Sequence, residues 1–251
     1  MKQLLILLLA ATLVFNSCSK SKNDTNIPNC KVETIETSFE GLLRSTSNYT
    51  FDAKGRVLRI DYHEELLNTS FYKTFSYQAD KIVASYASEN TPPAYVRTKS
   101  FGLDSQGRLL TVGDVNFQYN SEGFLTKLAS PDYSEVFEYE NRNLIKVIRT
   151  DKKNLVVKTI LMEYSNNLMQ SAVGLVDSQI NTLYLVNISD FPLVAGKASK
   201  NLVSKCTIIQ TDQPNRVITC LYDKDAVGNI NYLEVSSGYS PAEFEITYQC
   251  E

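Results

Sequence analysis

Few residues in this chain have the types and spacing that chemistry needs. His63 is the only histidine. In His63-Glu64-Glu65-Leu66-Leu67 it lacks the second histidine, one helical turn on, that a zinc-hydrolase helix requires. It reads as a solvated loop residue. Glu138 and Glu140 are i and i+2, so on a strand they share a face, and paired carboxylates can run glycoside hydrolysis. They alternate with Phe137 and Tyr139, however, as the polar outer face of a half-buried strand does. The run from Asp223 through Asp225, Gly228 and Asn229 to Glu234 matches several positions of a calcium-binding loop. Val227 stands where a side-chain oxygen is needed, and Arg216–Tyr222 and Ile230–Ser236 read as strands where a calcium hand has helices. A hairpin turn is the better reading. No set of nucleophile, acid and base is visible, and no cofactor motif, so no catalytic or metal residue is assigned.

The covalent chemistry the N-terminus does announce is lipidation of Cys18. Lys2 is followed by an apolar run from Leu4 to Phe15 and then by Asn16-Ser17-Cys18. A cation, a short apolar core and a small residue before the cut make a signal peptide. The run is too short for a membrane span, which takes about 20 residues. The pattern resembles bacterial lipoprotein signals, those of Bacteroidetes in particular, with Phe15 in place of the usual Leu. That resemblance implies cleavage before Cys18, a diacylglycerol on its sulfur and an acyl chain on its amine. Two or more acyl chains hold a protein stably at a membrane. Residues 1–17 are then a signal, 18–29 the lipidated cysteine and a polar tether carrying Pro28, and 30–251 a single domain. Surface-exported lipoproteins of this kind carry acidic residues just after the cysteine. Lys20 and Lys22 stand there instead, which points to the outer membrane facing the periplasm and leaves surface exposure open.

Composition narrows the partners. Lys and Arg number 25 against 28 Asp and Glu, a formal net charge of −3, and loss of Lys2 with the signal makes it −4. Nucleic-acid binding wants a basic face, so it is excluded as a working hypothesis. The chain has 15 Tyr, 11 Phe and no Trp. Tyr and Phe suit pleated sheets, whereas the missing indole weakens a glycan-binding role.

Cys30, Cys206, Cys220 and Cys250 remain after the anchor, an even set in an oxidising compartment. Lys205–Thr211 and Arg216–Asp223 read as strands around Asp212-Gln213-Pro214-Asn215, which sets Cys206 nearly opposite Cys220. A Cys206–Cys220 bridge leaves Cys30 to join Cys250. Pairing of Cys220 with Cys250 is the alternative.

A repeat organises the body: aromatic-x-aromatic, a polar turn often with Gly, then an aliphatic strand. Tyr49-Thr50-Phe51, Phe75-Ser76-Tyr77, Phe101-Gly102-Leu103, Phe117-Gln118-Tyr119, Phe137-Glu138-Tyr139 and Met162-Glu163-Tyr164 carry it. Residues i and i+2 share a strand face, so each pair shows two side chains to one side. Asp or Asn opening the turn bonds its own backbone, and Gly supplies positive φ. Successive hairpins of this sort make an all-β antiparallel meander. Open twisted sheets rarely pass about 10 strands, so the meander should curl into an open barrel or half-barrel. Residues 176–200, with Pro192, break the pattern and read as a crossover with a short helix that caps one end of the barrel or covers a cleft.

Asp-x-x-Gly-Arg-Val/Leu at 52–57 and 104–109 resembles the YD-type repeat. The whole arrangement, with Gly196-Lys197-Ala198-Ser199-Lys200-Asn201-Leu202 after the repeats, resembles a Bacteroidetes lipoprotein family of unknown function with a porin-like fold. That resemblance implies a non-enzymatic envelope protein and, for some relatives, lipid binding. Phe75, Tyr77, Phe117, Tyr119, Phe137 and Tyr139 are the candidate contacts for a lipid or other apolar ligand on the concave face. The alternative is a structural or protein-interaction lipoprotein with a filled core. A glycan-binding protein comes third.

Overall fold

The computed structural model describes residues 30–88, 96–168, 197, 199–238 and 241–250. Alternating apolar and polar residues make strands almost throughout. The first six are β1 (Cys30–Phe39), β2 (Leu42–Phe51), β3 (Val57–Glu64), β4 (Thr69–Tyr77), β5 (Lys81–Ser88) and β6 (Arg97–Leu103). Next come β7 (Leu109–Val112), β8 (Val115–Tyr119), β9 (Leu125–Ala129), β10 (Tyr133–Glu140) and β11 (Asn143–Asp151). The last are β12 (Val156–Leu168), β13 (Asn201–Gln210), β14 (Arg216–Lys224), β15 (Ile230–Ser236) and β16 (Ala242–Cys250).

Each strand pairs antiparallel with its neighbours in sequence, and β1 pairs with β16, so the meander closes completely into a barrel. Closure removes the two edges an open half-barrel would leave unpaired. The Cys30–Cys250 disulfide lies on the first rung of the closing ladder. Up-and-down connection gives two rims. The proximal rim holds Cys30, Cys250 and the turns β2–β3, β4–β5, β6–β7, β8–β9, β10–β11 and β14–β15. The distal rim holds the β1–β2, β3–β4, β7–β8, β9–β10, β11–β12 and β13–β14 turns.

Inward positions are mostly apolar, with Ser47, Lys73 and Glu135 buried among them. Val32, Ile35, Tyr49, Ile82, Phe101, Leu109, Leu128, Val147, Ile160, Ile218 and Leu233 are buried in one continuous cluster. Phe101, Leu109 and Leu128 have no exposed surface at all. A wide barrel can hold a water-filled lumen, but these side chains are closed off from solvent. Outward positions on β2–β4 are polar: Thr46, His63 and Ser70 form one row, Asn48, Asp61 and Tyr72 another.

Two sequence expectations need correction. Cys206 and Cys220 are both buried but are not joined to each other. The loop between β13 and β14 spans residues 211–215, and its register sets Cys206 opposite Ile218, two residues short of Cys220. His63 is not a loop residue. It lies on β3, half-exposed, with Nδ1 3.0 Å from the hydroxyl of Ser70, its partner across the ladder. Of the expected crossover at 176–200, residues 176–196 and 198 lie outside the described residues, as do the signal and the tether.

Candidate functional site

The six aromatic candidates share the inner face. Phe75, Phe117 and Phe137 are in the buried cluster, and Tyr77, Tyr119 and Tyr139 pack against it. Phe117 is 3% exposed. The tyrosines have a further task. Tyr77 donates its hydroxyl hydrogen to the carbonyl of Val57 at 2.8 Å, and Tyr119 donates to Leu109 at 2.7 Å. Tyr164 donates to Leu144 and Tyr248 to Ile230, at 2.7 and 2.6 Å. Each bond ties the ring to the start of an earlier strand, just after its turn. Burial pushes the Tyr77 hydroxyl up to about 12 despite the guanidinium of Arg56, and it pushes Tyr119, Tyr139 and Tyr248 up as well.

The Asp-x-x-Gly-Arg turns supply the other half of this latch. Asp104 Oδ1 accepts the backbone N–H groups of Gln106 and Arg108, both at 2.9 Å. Gly107 takes φ of 75°, which a side chain would strain. Arg108 then bonds Asp104 Oδ2 through Nε and lies 4.5 Å over the ring of Tyr119. The first turn repeats it: Asp52 accepts from Lys54 and Arg56, and Arg56 lies 4.2 Å over Tyr77. Thus the repeat is a fastening between a turn and the second tyrosine of an aromatic pair. Asp225 opens a similar turn, accepting from Val227 and Asn229, so this carboxylate of the calcium-like stretch is occupied by backbone.

The Ser-Lys-Asn-Leu stretch works at the same rim. The N–H of Lys197 donates to the carbonyl of Gly123, and that of Lys200 to Arg142. Ser199 Oγ accepts the N–H of Leu144 and lies 2.9 Å from the Tyr164 hydroxyl. Asn201 and Asn143 exchange two bonds. Lys197, Ser199, Lys200 and Asn201 therefore lie across the β8–β9 and β10–β11 turns and cover part of the proximal rim.

A buried ion pair inside the barrel escaped the sequence reading. Glu135 is in phase with Phe137, two residues on, and points inward with 1% exposure. Arg149, opposite it on β11, places Nε and Nη2 each 2.6 Å from Oε1. The other carboxylate oxygen, Oε2, is buried with no hydrogen-bond partner. Burial raises the carboxyl above its ordinary range, against the pull of Arg149 and Lys158. Lys158, across the ladder from Arg149, is lowered by burial and then by Arg149. The i, i+2 phase with Phe137 was the available signal. Glu138 and Glu140, read as a weak catalytic pair, lie elsewhere: Glu138 bridges to Lys146 at 3.4 Å and Glu140 is exposed. Among the described residues no group of acidic, histidine and cysteine side chains has a metal-binding arrangement.

The paired turn and tyrosine, repeated along the first two-thirds of the barrel, match a known pattern. The Teneurin YD-shell family description fits residues 26–164, more than half of the sequence. The chain belongs to the YD-shell family. A solved structure extends the likeness of this YD-shell chain over most of its length. A porin-like protein from Bacteroides vulgatus ATCC 8482 is 12% identical with a TM-score of 0.53, over 88% of this chain and 99% of that one. A porin-like protein from Bacteroides uniformis ATCC 8492 is 13% identical with a TM-score of 0.47, over 87% and 98%. At this identity the Bacteroides vulgatus protein shows a shared fold. No curated protein matches the YD-shell chain.

Proposed function

We propose that this YD-shell chain is a non-enzymatic lipoprotein of the cell envelope, anchored through acyl chains on Cys18, whose barrel is a protein-interaction module. The observation that carries the second part is the state of the aromatic rows. Their phenylalanines are core and the hydroxyls of Tyr77 and Tyr119 fasten strands, so the outer walls and rims are the working surface. A lipid or other apolar ligand on these rows needs an open cleft, and a ring as enclosed as Phe117 supports the filled-core reading over it. A porin-like shape does not imply a channel here either. Outer-membrane barrels face apolar residues to lipid and polar ones to the lumen. This barrel is mostly apolar inside, which supports a body standing in water beside the membrane.

The anchor and the body are tested separately. Cells fed an alkyne fatty acid should label the full chain and not its Cys18→Ala variant; an unlabelled wild type removes the anchor. Residues 19–251, purified from a periplasm without detergent, should fly as a bare polypeptide in native mass spectrometry. A co-purified mass extracted by organic solvent as lipid would restore the ligand reading.

A further inference from the structure

Two thiols lie on the inner face of β13 and β14 in a register that keeps them from joining. Cys206 faces Met162 on one side and Ile218 on the other, and Cys220 faces Val235. Both cysteines are buried. They are diagonal neighbours, which puts their Cα atoms about 7–8 Å apart. A disulfide needs Cα atoms within about 7 Å. The native ladder therefore holds this pair as thiols while Cys30 and Cys250 are joined.

The hairpin has a second register in which the two meet. Sliding β14 by two residues against β13 sets Cys206 opposite Cys220. A one-residue slip turns every side chain to the other face, whereas two residues restore the face. Ile208 then faces Ile218 in place of Arg216, and Ile209 faces Val217. The connection beyond the last rung shortens from 209–215 to 211–215 and centres on Gln213, within the polar stretch Asp212-Gln213-Pro214-Asn215. Nothing in the hairpin's own pattern rejects this arrangement. The rest of the barrel does, because β12 holds β13 at Met162 opposite Cys206, and β15 holds β14 at Val235 opposite Cys220. One of those ladders has to slip as well.

Chain length favours the wrong bridge first. The native cysteines are 220 residues apart, whereas Cys206 and Cys220 span one hairpin. Closure falls with the 3/2 power of loop length, so the hairpin pair meets more often in the unfolded chain by a factor on the order of 60. We infer that this barrel is a client of a thiol–disulfide isomerase, because the bridge its chain closes first, Cys206–Cys220, sets β13 and β14 out of register and must be exchanged for Cys30–Cys250. Forming the first bridge passes two electrons and two protons from Cys206 and Cys220 to a disulfide oxidant. A thiolate of the isomerase then attacks the Cys206 sulfur and releases Cys220 as a thiolate. Cys30 attacks the same sulfur and frees the isomerase, and Cys250 attacks Cys30 and frees Cys206. Across the exchange one S–S bond breaks and one forms, two protons pass from Cys30 and Cys250 to Cys206 and Cys220, and no net electrons move. Meeting such a partner rests on the envelope reading, since the cytosol keeps thiols reduced.

The test is oxidative refolding of the mature chain carrying Cys18→Ser, reduced in urea, freed of reductant and diluted into oxidised glutathione. Alkylation at intervals and peptide mass spectrometry read which cysteines are joined. Cys206–Cys220 is expected as the first bridge. Conversion to the protein with Cys30–Cys250 alone should be about tenfold faster or more when a reduced thiol–disulfide isomerase is added. Cys206→Ala/Cys220→Ala should form Cys30–Cys250 at a rate the isomerase changes by less than about twofold, and Cys220→Ser removes the same bridge should the double variant fail to fold. Without isomerase, excess oxidant should leave a species with both bridges. Its urea midpoint should lie below that of the one-bridge protein, although an added disulfide ordinarily raises it. Formation of Cys30–Cys250 first overturns the inference, and so does a wild-type rate indifferent to the isomerase. A two-bridge species with the higher midpoint overturns it too, since the hairpin bridge would then fit the ladder. Acylation of Cys18 enters none of these readouts, so failure of the anchor and failure of this inference are distinguishable.

Discussion

Arg108 lies 4.5 Å over the ring of Tyr119, and that tyrosine donates its hydroxyl hydrogen to Leu109, the residue that follows the arginine. The turn is held from two sides at once, by its own aspartate and by a strand further along the chain. Tyr119→Phe keeps the ring and its stacking but leaves a buried carbonyl without its donor. The loss should be about 0.5–1.5 kcal/mol in a urea titration, with Tyr248→Phe similar at its own turn.

The aspartates that open these turns give the barrel an acid limit. For Asp52 the backbone N–H of Arg56 is the first cause of a carboxyl held below its ordinary 3.8. For Asp104 burial works to raise the carboxyl, and the backbone and side chain of Arg108 outweigh it. A depressed carboxyl contributes stability above its unfolded value and loses it as pH falls through the folded one. Urea midpoints measured from pH 5 downward should therefore fall more steeply for the wild type than for Asp104→Asn. Equal slopes would refute the assignment.

Glu135 has the opposite sign. Burial raises its carboxyl above the ordinary 4.5, so the folded state holds that proton more tightly than the unfolded chain. Stability from this group is present at low pH and declines as pH rises from the ordinary value through the raised one. Glu135→Gln removes the titration. Its stability relative to wild type should improve across that window, read as a difference between two pH profiles.

Phe117 distinguishes a filled interior from an open cleft. If the ring is core, Phe117→Ala costs about 3–5 kcal/mol by lost burial and a cavity. A ring lining a solvent-filled cleft would cost far less. Thermal unfolding followed by circular dichroism decides it.

The cysteines make the last prediction. An intact-mass measurement on the unreduced protein should show one disulfide, with Cys206 and Cys220 alkylated only after denaturation. The Cys30–Cys250 bridge closes a sequence separation of 220 residues. Chain entropy alone gives such a loop about 5 kcal/mol, so Cys250→Ser should lower the urea midpoint markedly.

Strands and turns were legible because they are local. Aromatic-x-aromatic, Asp-x-x-Gly and the period of two are written within a few residues, and β13 and β14 fall close to their expected places. What joins distant residues was not. Pairing of β1 with β16 was marked in the sequence by Cys30 and Cys250 alone; the strand pattern carries nothing else that tells full closure from an open half-barrel. The Cys206–Cys220 expectation failed on register: the ladder stops at Ile208 opposite Arg216, which centres the connection on Asp212 and not between Gln213 and Pro214. The hydroxyl of Tyr77 reaches a carbonyl 20 residues back, and nothing local announces that. Glu135 was legible in principle, being in phase with Phe137, two residues on.

The disulfide at the seam also has a mechanical side. A barrel that closes by pairing its first strand with its last comes apart most easily by peeling one from the other, rung by rung from the end that is pulled. Any load delivered along the segment before Cys30 arrives at that rung. There the two strands are bonded covalently, with their Cα atoms 4.0 Å apart. The unzipping fork therefore has no free end at which to open, and tension passes into both strands together as shear across the whole ladder.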